Sequence, residues 1–167
     1  MAEEFIYHVD ENNEVISKIS RSEVRKKNLT HRGTRIFVFN SKGEILITKR
    51  KMTKDLYPGL LELGPGGTVI FGQTYKENAE EELEQEVGIK DVDLEFLFEM
   101  RYTDERFDTF AQVFKCIYDG EIIPQEEEIE EHYFLPVEKV KEMIKDSPSQ
   151  FMPDNIVFFE RYLSTLS

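Results

Sequence analysis

A short acidic segment carries the residue types that bind divalent cations. Residues 76–86 are dominated by glutamate, and Lys76 is the only cation among them. Glu82 and Glu86 are four residues apart, which places two carboxylates side by side on one face of a helix. Hard cations such as Mg²⁺ prefer carboxylate oxygens and bound phosphates, and a cation there would relieve the repulsion between like charges. The segment therefore predicts either a metal-binding helix or an ordinary solvated face.

The flanking residues predict the elements that must position these carboxylates. Thr74 followed by Glu77 forms a capping box, and Gly88 is typical of a left-handed helix C-terminus. Apolar residues recur at four-residue steps and predict a face that packs on a core: Ala79, Leu83 and Val87. Gly66 and Gly67 lie upstream in a glycine-rich turn. We expect a tight turn that leads into a short capped helix.

The spacing from Gly67 to Ile89 resembles the Nudix box, Gly-x5-Glu-x7-Arg-Glu-U-x-Glu-Glu-x-Gly-U, where U is apolar. The matching residues are Gly67, Glu82, Leu83, Glu86, Gly88 and Ile89. The sequence departs from the pattern at Gln73 for the first glutamate, Glu81 for the arginine and Gln85 for the penultimate glutamate. The resemblance implies a Nudix fold of the α/β (α+β) class, in which a mixed β-sheet is sandwiched between helices.

The resemblance also implies a chemistry for the box. In Nudix hydrolases the box carboxylates hold one or more Mg²⁺ or Mn²⁺ ions, which bridge a diphosphate and activate a water. Glu82 and Glu86 would then be catalytic residues and metal ligands. Gln85 would be a third ligand, although an amide oxygen brings no charge and cannot act as a base. Glu81 replaces an arginine that orients the neighbouring glutamates in the family, so we expect it to add repulsion. Gly66, Gly67 and Gly88 are the motif glycines.

Stretches outside the box resemble the isopentenyl-diphosphate isomerase branch of the superfamily: residues 10–16, 29–33, 39–46, 49–59 and 151–154. In that branch Arg50 and Lys54 match basic positions that contact the diphosphate. The alternative is that they are solubilising residues at the end of a strand. His31 matches a metal-binding histidine, and Glu62, just before the box, is a second weaker candidate ligand.

The isomerase reaction itself does not carry over. It uses a cysteine just before the box, and residues 61–68 contain none. Thr68 stands where a histidine follows that cysteine in the family, and residues 106–110 lack the glutamate pair of the isomerases. Proton addition and removal at an alkene needs positioned acid and base groups. We therefore expect no isomerase activity.

Turn residues and alternating hydrophobicity predict the other elements. Strands are expected at 4–10, 14–19, 35–40, 44–49, 60–63, 94–102, 106–118 and 132–135. Helices are expected at 20–27, from Pro136 to about Lys145, and from Pro153 onward. The acidic run 126–131 is expected to be a loop.

Length and charge limit the protein class. At 167 residues the chain is expected to be a single domain, with residues 1–30 as an N-terminal β-hairpin extension and the box at 67–89. The net charge of −13 argues against a nucleic-acid duplex as partner. Cys116 lies in an apolar run, which favours a core position in a reducing compartment. Without a signal peptide or membrane span, we expect a cytoplasmic monomer or homodimer.

Two functional hypotheses remain open at this point. The first is a Mg²⁺- or Mn²⁺-dependent hydrolase that cleaves a diphosphate linkage in a small phosphorylated metabolite, weakened by the altered box. The second is a catalytically silent Nudix domain that binds a phosphorylated ligand or a protein partner. Gln73, Glu81 and Gln85 are the residues that distinguish them.

Overall fold

The computed structural model describes residues 3–167. Its strands are β1 (Phe5–Val9), β2 (Val15–Ser20), β3 (His31–Phe39), β4 (Glu44–Arg50), β5 (Leu61–Glu62), β6 (Gly66–Thr68), β7 (Glu95–Thr103), β8 (Asp108–Ile117) and β9 (Ile129–Pro136). Its helices are α1 (Arg21–Lys27), α2 (Tyr75–Val87), α3 (Val137–Asp146) and α4 (Pro153–Ser164), with one 3₁₀ turn at Pro148–Gln150. Within these residues, no helix is both long and apolar enough to cross a bilayer.

Seven strands form one mixed sheet at the centre of the protein. The order is β5-β4-β3-β8-β7, with β6 paired to β3 and β9 paired to β4. Strand β3 runs parallel to β8 and antiparallel to β6. The predicted mixed sheet is therefore confirmed, and β3 is the strand from which the candidate site is built.

Alternating residues of β3 divide the core into two layers. Ile36 and Val38 face α2 and pack with its apolar residues Ala79, Leu83 and Val87. Phe37 and Phe39 face the opposite way and pack with Val140 of α3 and with Phe158, Phe159 and Tyr162 of α4. Because successive side chains of a strand point to opposite faces, one strand supplies both layers. The sheet is thus enclosed by α2 on one side and by α3 and α4 on the other.

The hairpin of β1 and β2 is a separate two-stranded sheet that contacts the glycine-rich turn. Phe71 N donates to Phe5 O at 2.8 Å, and Ile6 forms an isolated bridge with Ile70. The Tyr7 hydroxyl accepts from Gly72 N at 2.9 Å and donates to Gln73 O at 3.2 Å. The extension is therefore attached directly to the segment that precedes α2.

Three parts of the sheet differ most from the prediction. β3 was expected at 35–40 but begins at His31, where it pairs with β8. The acidic run was expected to be a loop, but Ile129 to Glu131 already belong to β9, which pairs with β4. β6 was not predicted, because three residues of Gly-Gly-Thr have low strand propensity. It forms because β3 supplies the pairing partner, so pairing with another strand decides all three cases.

Candidate metal and diphosphate site

The glycines of β6 allow α2 to approach the sheet closely. Gly66 N donates to Glu86 Oε2 at 3.0 Å. A Cβ built on Gly67 would lie 2.5 Å from Glu82 Oε1, and one built on Gly66 would lie 2.3 Å from Thr34 O. Any larger residue would displace a carboxylate or a strand. The two motif glycines therefore set the distance between the box turn and the helix.

The capping residues set where α2 begins and ends. Thr74 accepts from Glu77 N at 3.1 Å, while Thr74 N donates to Glu77 Oε1 at 3.0 Å, so the predicted capping box is present. Gly88 has φ 71°, the left-handed conformation predicted for it. With these ends in place and Leu83 buried in the core, Glu82 and Glu86 turn toward β6.

Both predicted carboxylates are poised to favour a bound positive charge. Burial, with a smaller contribution from the charge of Glu81, raises the pKa of Glu82 to about 7, although a hydrogen bond with Glu86 acts in the opposite direction. Burial, Glu62 and Glu82 together hold the pKa of Glu86 well above its usual range, which Arg35 only partly offsets. Carboxylates that resist ionisation in this way are stabilised by a cation between them.

The three altered positions of the box form one hydrogen-bonded set. Gln73 Nε2 donates to Glu81 Oε2 at 2.5 Å, and Gln85 Nε2 donates to Glu81 Oε1 at 3.0 Å. The expected repulsion is present, because Glu81 raises the pKa of Glu82, but Glu81 also accepts hydrogen bonds from two amide groups. The negative carboxylate of Glu81 stands where the family has a positive arginine. Its partners are the neutral Gln73 and Gln85, where the family has glutamates.

Glu62 is held between two arginines. Arg35 Nη1 lies 3.0 Å from Glu62 Oε2, and Arg50 Nη1 lies 2.6 Å from Glu62 Oε1. Burial opposes ionisation of this carboxyl, but the two guanidinium groups outweigh burial and hold its pKa below the usual range. Since both oxygens are engaged, we do not include Glu62 among the metal ligands.

Arg50 and Lys54 hold the loop that follows β4. Arg50 Nε donates to Leu56 O at 3.1 Å and to Tyr57 O at 3.2 Å, and its Nη2 donates to Leu56 O at 2.8 Å. Lys54 forms an ion pair with Glu128. Contact between Arg50 or Lys54 and a diphosphate stays a prediction, but the structure shows a second role for both.

His31 is a buried, neutral imidazole. Its Nδ1 lies 3.0 Å from Leu29 O, and burial lowers its pKa despite that hydrogen bond. A neutral ring with Nδ1–H donating to a carbonyl leaves Nε2 as an acceptor or ligand atom. His31 borders the same cleft as the box carboxylates. Its role as a metal ligand stays a prediction.

A single cleft of about 820 Å³ brings the predicted site residues together. It is lined by His31, Arg50, Lys54, Glu62, Gly66, Gly67, Glu82, Gln85 and Glu86. Gly88 does not border this cleft, in keeping with its role at the helix end. Side chains from four separate parts of the chain therefore converge on one space.

The cleft also contains residues that sequence reasoning missed. Arg35 and Asp154 border it, and burial raises the pKa of Asp154 although Arg35 opposes that rise. Tyr57 and Phe107 stack with ring centroids 6.0 Å apart, and Arg106 lies 5.1 Å from the Tyr57 ring. An arginine inside the apolar run of β3 was a usable signal, because such residues are rarely buried without a partner. Asp154 lies in the isomerase-like stretch 151–154, but only the fold shows that α4 brings it to the cleft.

The donor set fits a hard divalent cation with few acidic ligands. Across residues 3–167, no group of three or more His, Cys, Asp or Glu side chains is arranged to hold a metal ion. The box offers two carboxylates, Glu82 and Glu86, and the amide oxygen of Gln85. Mg²⁺ keeps several waters and is commonly bound through one or two carboxylates plus substrate phosphates. Two carboxylates and an amide oxygen are compatible with that chemistry.

The fold and the box define the class of protein. The sequence profile of the NUDIX domain matches residues 29–154, which is most of the chain, and the protein belongs to this family. The match includes the glycine turn, α2 and the strands that carry the cleft.

Relatives extend the similarity over almost the whole chain. It is 34% identical over 160 residues to the uncharacterized Nudix hydrolase PA4841 of Pseudomonas aeruginosa, covering 96% of this chain and 94% of that protein. It is 33% identical over 153 residues to the uncharacterized Nudix hydrolase YfcD of Escherichia coli K12, covering 92% and 83%. The crystal structure of DR0079 from Deinococcus radiodurans superposes with a TM-score of 0.75 at 24% identity, covering 86% and 90%, which supports the fold.

Proposed function

We propose that the protein is a divalent-metal-dependent hydrolase that cleaves a diphosphate linkage in a small phosphorylated metabolite. The observation that carries the proposal is the Glu82–Glu86 pair, which faces the cleft with both pKa values raised. Membership of the Nudix family supports hydrolysis as the reaction class. Such a pair costs folding free energy unless a cation binds to it.

The residues of the cleft divide into three roles. Glu82, Glu86 and the Gln85 amide oxygen would hold Mg²⁺ or Mn²⁺. Held by these residues, such an ion would supply charge neutralisation for the phosphates and Lewis-acid activation of a water. Lys54, together with the free N–H groups of Arg50, would attract the remaining phosphate charge. Gly66 N orients Glu86 through its hydrogen bond, so that this carboxylate points to the cleft and not to bulk water.

The substrate belongs to a narrower range than the family as a whole. The isomerase-like stretches suggest an isoprenoid- or nucleoside-type diphosphate, while the missing cysteine argues against isomerisation. The strongly negative net charge of −13 disfavours a nucleic-acid duplex, and a metal-bound diphosphate of a small molecule remains compatible with it. We infer that the partner of this site is a small-molecule diphosphate and not a membrane or a nucleic-acid duplex.

The main competing function is a silent Nudix domain that binds without cutting. The shortage of acidic ligands favours this function. Of the four positions where the Nudix pattern has glutamate, only Glu82 and Glu86 are glutamate here. A site of this kind would still bind a metal and a diphosphate. It would differ in lacking turnover.

A substrate panel distinguishes the two functions. Wild type is incubated with nucleoside and isoprenoid diphosphates in Mg²⁺ and in Mn²⁺, and phosphate or monophosphate release is measured. We expect metal-dependent release that Glu82→Gln abolishes and Glu84→Gln leaves unchanged, since Glu84 pairs with the exposed Lys90 at 3.0 Å, away from the cleft. Absence of turnover on the whole panel with both metals would favour the silent domain. Deuterium incorporation into isopentenyl diphosphate would instead indicate residual isomerase activity.

A further inference from the structure

The three departures from the Nudix pattern act together and not separately. In the family's pattern the positions of residues 73, 81 and 85 carry glutamate, arginine and glutamate, with a combined charge of −1. Here they carry Gln73, Glu81 and Gln85, also with a combined charge of −1. In the family's pattern an arginine at position 81 can donate hydrogen bonds to two glutamates. Here Glu81 accepts hydrogen bonds from two glutamines. The three substitutions together therefore exchange hydrogen-bond donors and acceptors and leave the combined charge unchanged.

The hydrogen bonds of Gln73 fix the direction of the exchange. Gln73 Oε1 accepts from Ile70 N at 3.1 Å and from Asn78 Nδ2 at 3.1 Å. A backbone N–H can only donate, so the Gln73 oxygen must face it and the Gln73 nitrogen must face Glu81. Asn78 is held in turn by Thr34 Oγ1 at 2.6 Å and by Thr68 O at 2.9 Å. The Gln73 end of the set is thus anchored to buried structure.

Gln85 has one partner that sets its orientation. Its Nε2 donates to Glu81 Oε1, and a carboxylate can only accept, so the amide nitrogen is drawn to Glu81. Because Glu81 takes the nitrogen end, the oxygen is the end of the carboxamide that remains available, and Gln85 and Glu81 both border the cleft. An oxygen there can coordinate a cation, whereas an amide nitrogen would repel it.

We propose that Glu81 is a positioning residue that fixes the Gln85 carboxamide with its oxygen available to the metal bound by Glu82 and Glu86. The inference rests on the proposed metal site and adds to it the reason why the altered box can still bind a cation. The Gln73–Glu81–Gln85 set performs the task of the family's charged set with the polarity of each hydrogen bond reversed.

The reversed polarity gives the proposal a sharp test. In Glu81→Arg the guanidinium can only donate, so Gln85 must turn its oxygen to residue 81 and its nitrogen to the cleft. Gln73 cannot make the same turn without losing Ile70 N and Asn78. The triple variant Gln73→Glu, Glu81→Arg, Gln85→Glu restores two acceptors around a donor. We expect Mn²⁺ affinity, measured by calorimetry, to fall roughly tenfold in Glu81→Arg and to return in the triple variant.

A matched pair separates positioning from simple charge. Glu81→Ala and Glu84→Ala remove the same charge from neighbouring exposed positions of α2, but only Glu81 touches the two glutamines. We expect weaker Mn²⁺ binding in Glu81→Ala alone. Equal loss in both variants, or a triple variant as weak as Glu81→Arg, would overturn the inference.

A readout without metal keeps the inference independent of the proposed function. In metal-free protein, the side-chain ¹H–¹⁵N resonances of Gln73 and Gln85 report their hydrogen bonds. We expect both to shift in Glu81→Ala and to stay in place in Glu84→Ala. If wild type binds no Mn²⁺ or cleaves no diphosphate, the proposed function fails, while these shifts still support the Glu81 set. Unshifted Gln85 resonances would refute the set whether or not the protein is an enzyme.

Discussion

Gly67 lies directly against the carboxylate of Glu82, so closely that a Cβ on Gly67 would be 2.5 Å from Oε1 and 3.0 Å from Oε2. Gly67→Ala should therefore displace Glu82 from the cleft. We expect loss of most metal-dependent activity and a fall in Mn²⁺ affinity, because the helix is held in the core and the carboxylate is the part that can move. Thr68→Ala at the next position is the control. Unchanged Mn²⁺ binding in Gly67→Ala would contradict the placement of Glu82 as a ligand.

The raised pKa of Glu82 predicts how stability depends on pH. A carboxyl whose pKa is about 7 in the folded protein and near 4.5 in the unfolded chain favours folding when protonated. Its contribution is complete below pH 4.5 and is lost as pH rises through 7. We expect metal-free protein to lose up to about 3 kcal/mol of unfolding free energy across that window.

Urea unfolding in chelator at several pH values measures this loss. Glu82→Gln should reduce the dependence, because its amide does not titrate, and leave the part that comes from the raised pKa of Glu86. Saturating Mg²⁺ should also reduce it, since the cation takes the place of the proton. A wild-type slope equal to that of Glu82→Gln would show that Glu82 has an ordinary pKa.

The main role of Arg50 should be to stabilise the loop at residues 51–60 through hydrogen bonds to its carbonyls. Its guanidinium holds the carbonyl of Tyr57, whose φ of 52° is unfavourable for a residue with a side chain. Lysine keeps the charge but cannot reach Glu62 and both carbonyls together. We expect Arg50→Lys to cost about 2 kcal/mol and to expose the loop to proteases.

Limited proteolysis and urea unfolding test this role. Lys51→Ala is a suitable control, because Lys51 Nζ lies 3.8 Å from Glu130 in a partly exposed pair that contributes little. If the main role of Arg50 is to contact substrate, Arg50→Lys should raise KM while leaving the loop protected.

The Tyr7 hydroxyl should stabilise the glycine turn. Tyr7→Phe removes one acceptor for Gly72 N and one donor for Gln73 O, and we expect a loss of about 1 kcal/mol. Faster amide hydrogen exchange at residues 71–73 would show the effect. Tyr118→Phe removes a hydroxyl that donates to Glu121 O at 3.2 Å and should leave residues 71–73 unaffected. Equal exchange in the two variants would contradict the bracing role.

Local signals in the sequence predicted the helices well. The capping residues Thr74 and Glu77, the left-handed Gly88 and the prolines at the starts of α3 and α4 each act within a few residues. Their effects can therefore be derived from the chain alone. The spacing of Glu82 and Glu86 predicted their shared orientation for the same reason.

The rest depends on contacts between distant residues. Glu62 could be proposed as a ligand only because Arg35 and Arg50 were not known to surround it. The hydrogen bonds that Glu81 accepts were not predicted, because only the folded helix shows two amide nitrogens within reach. Residues 129–131 looked like a charged loop, and pairing with β4 makes them a strand.

The contact between the β1–β2 hairpin and residues 70–73 shows that the structural boundary of the domain differs from the boundary of the family profile. The family profile starts at residue 29, so a domain boundary based on sequence similarity would fall after the hairpin. The hydrogen bonds of Tyr7 and Phe5 place the structural boundary before the hairpin, because they hold the turn that leads into α2. A chain that began at residue 29 would retain every carboxylate of the box and lose the hydrogen bonds that hold residues 71–73.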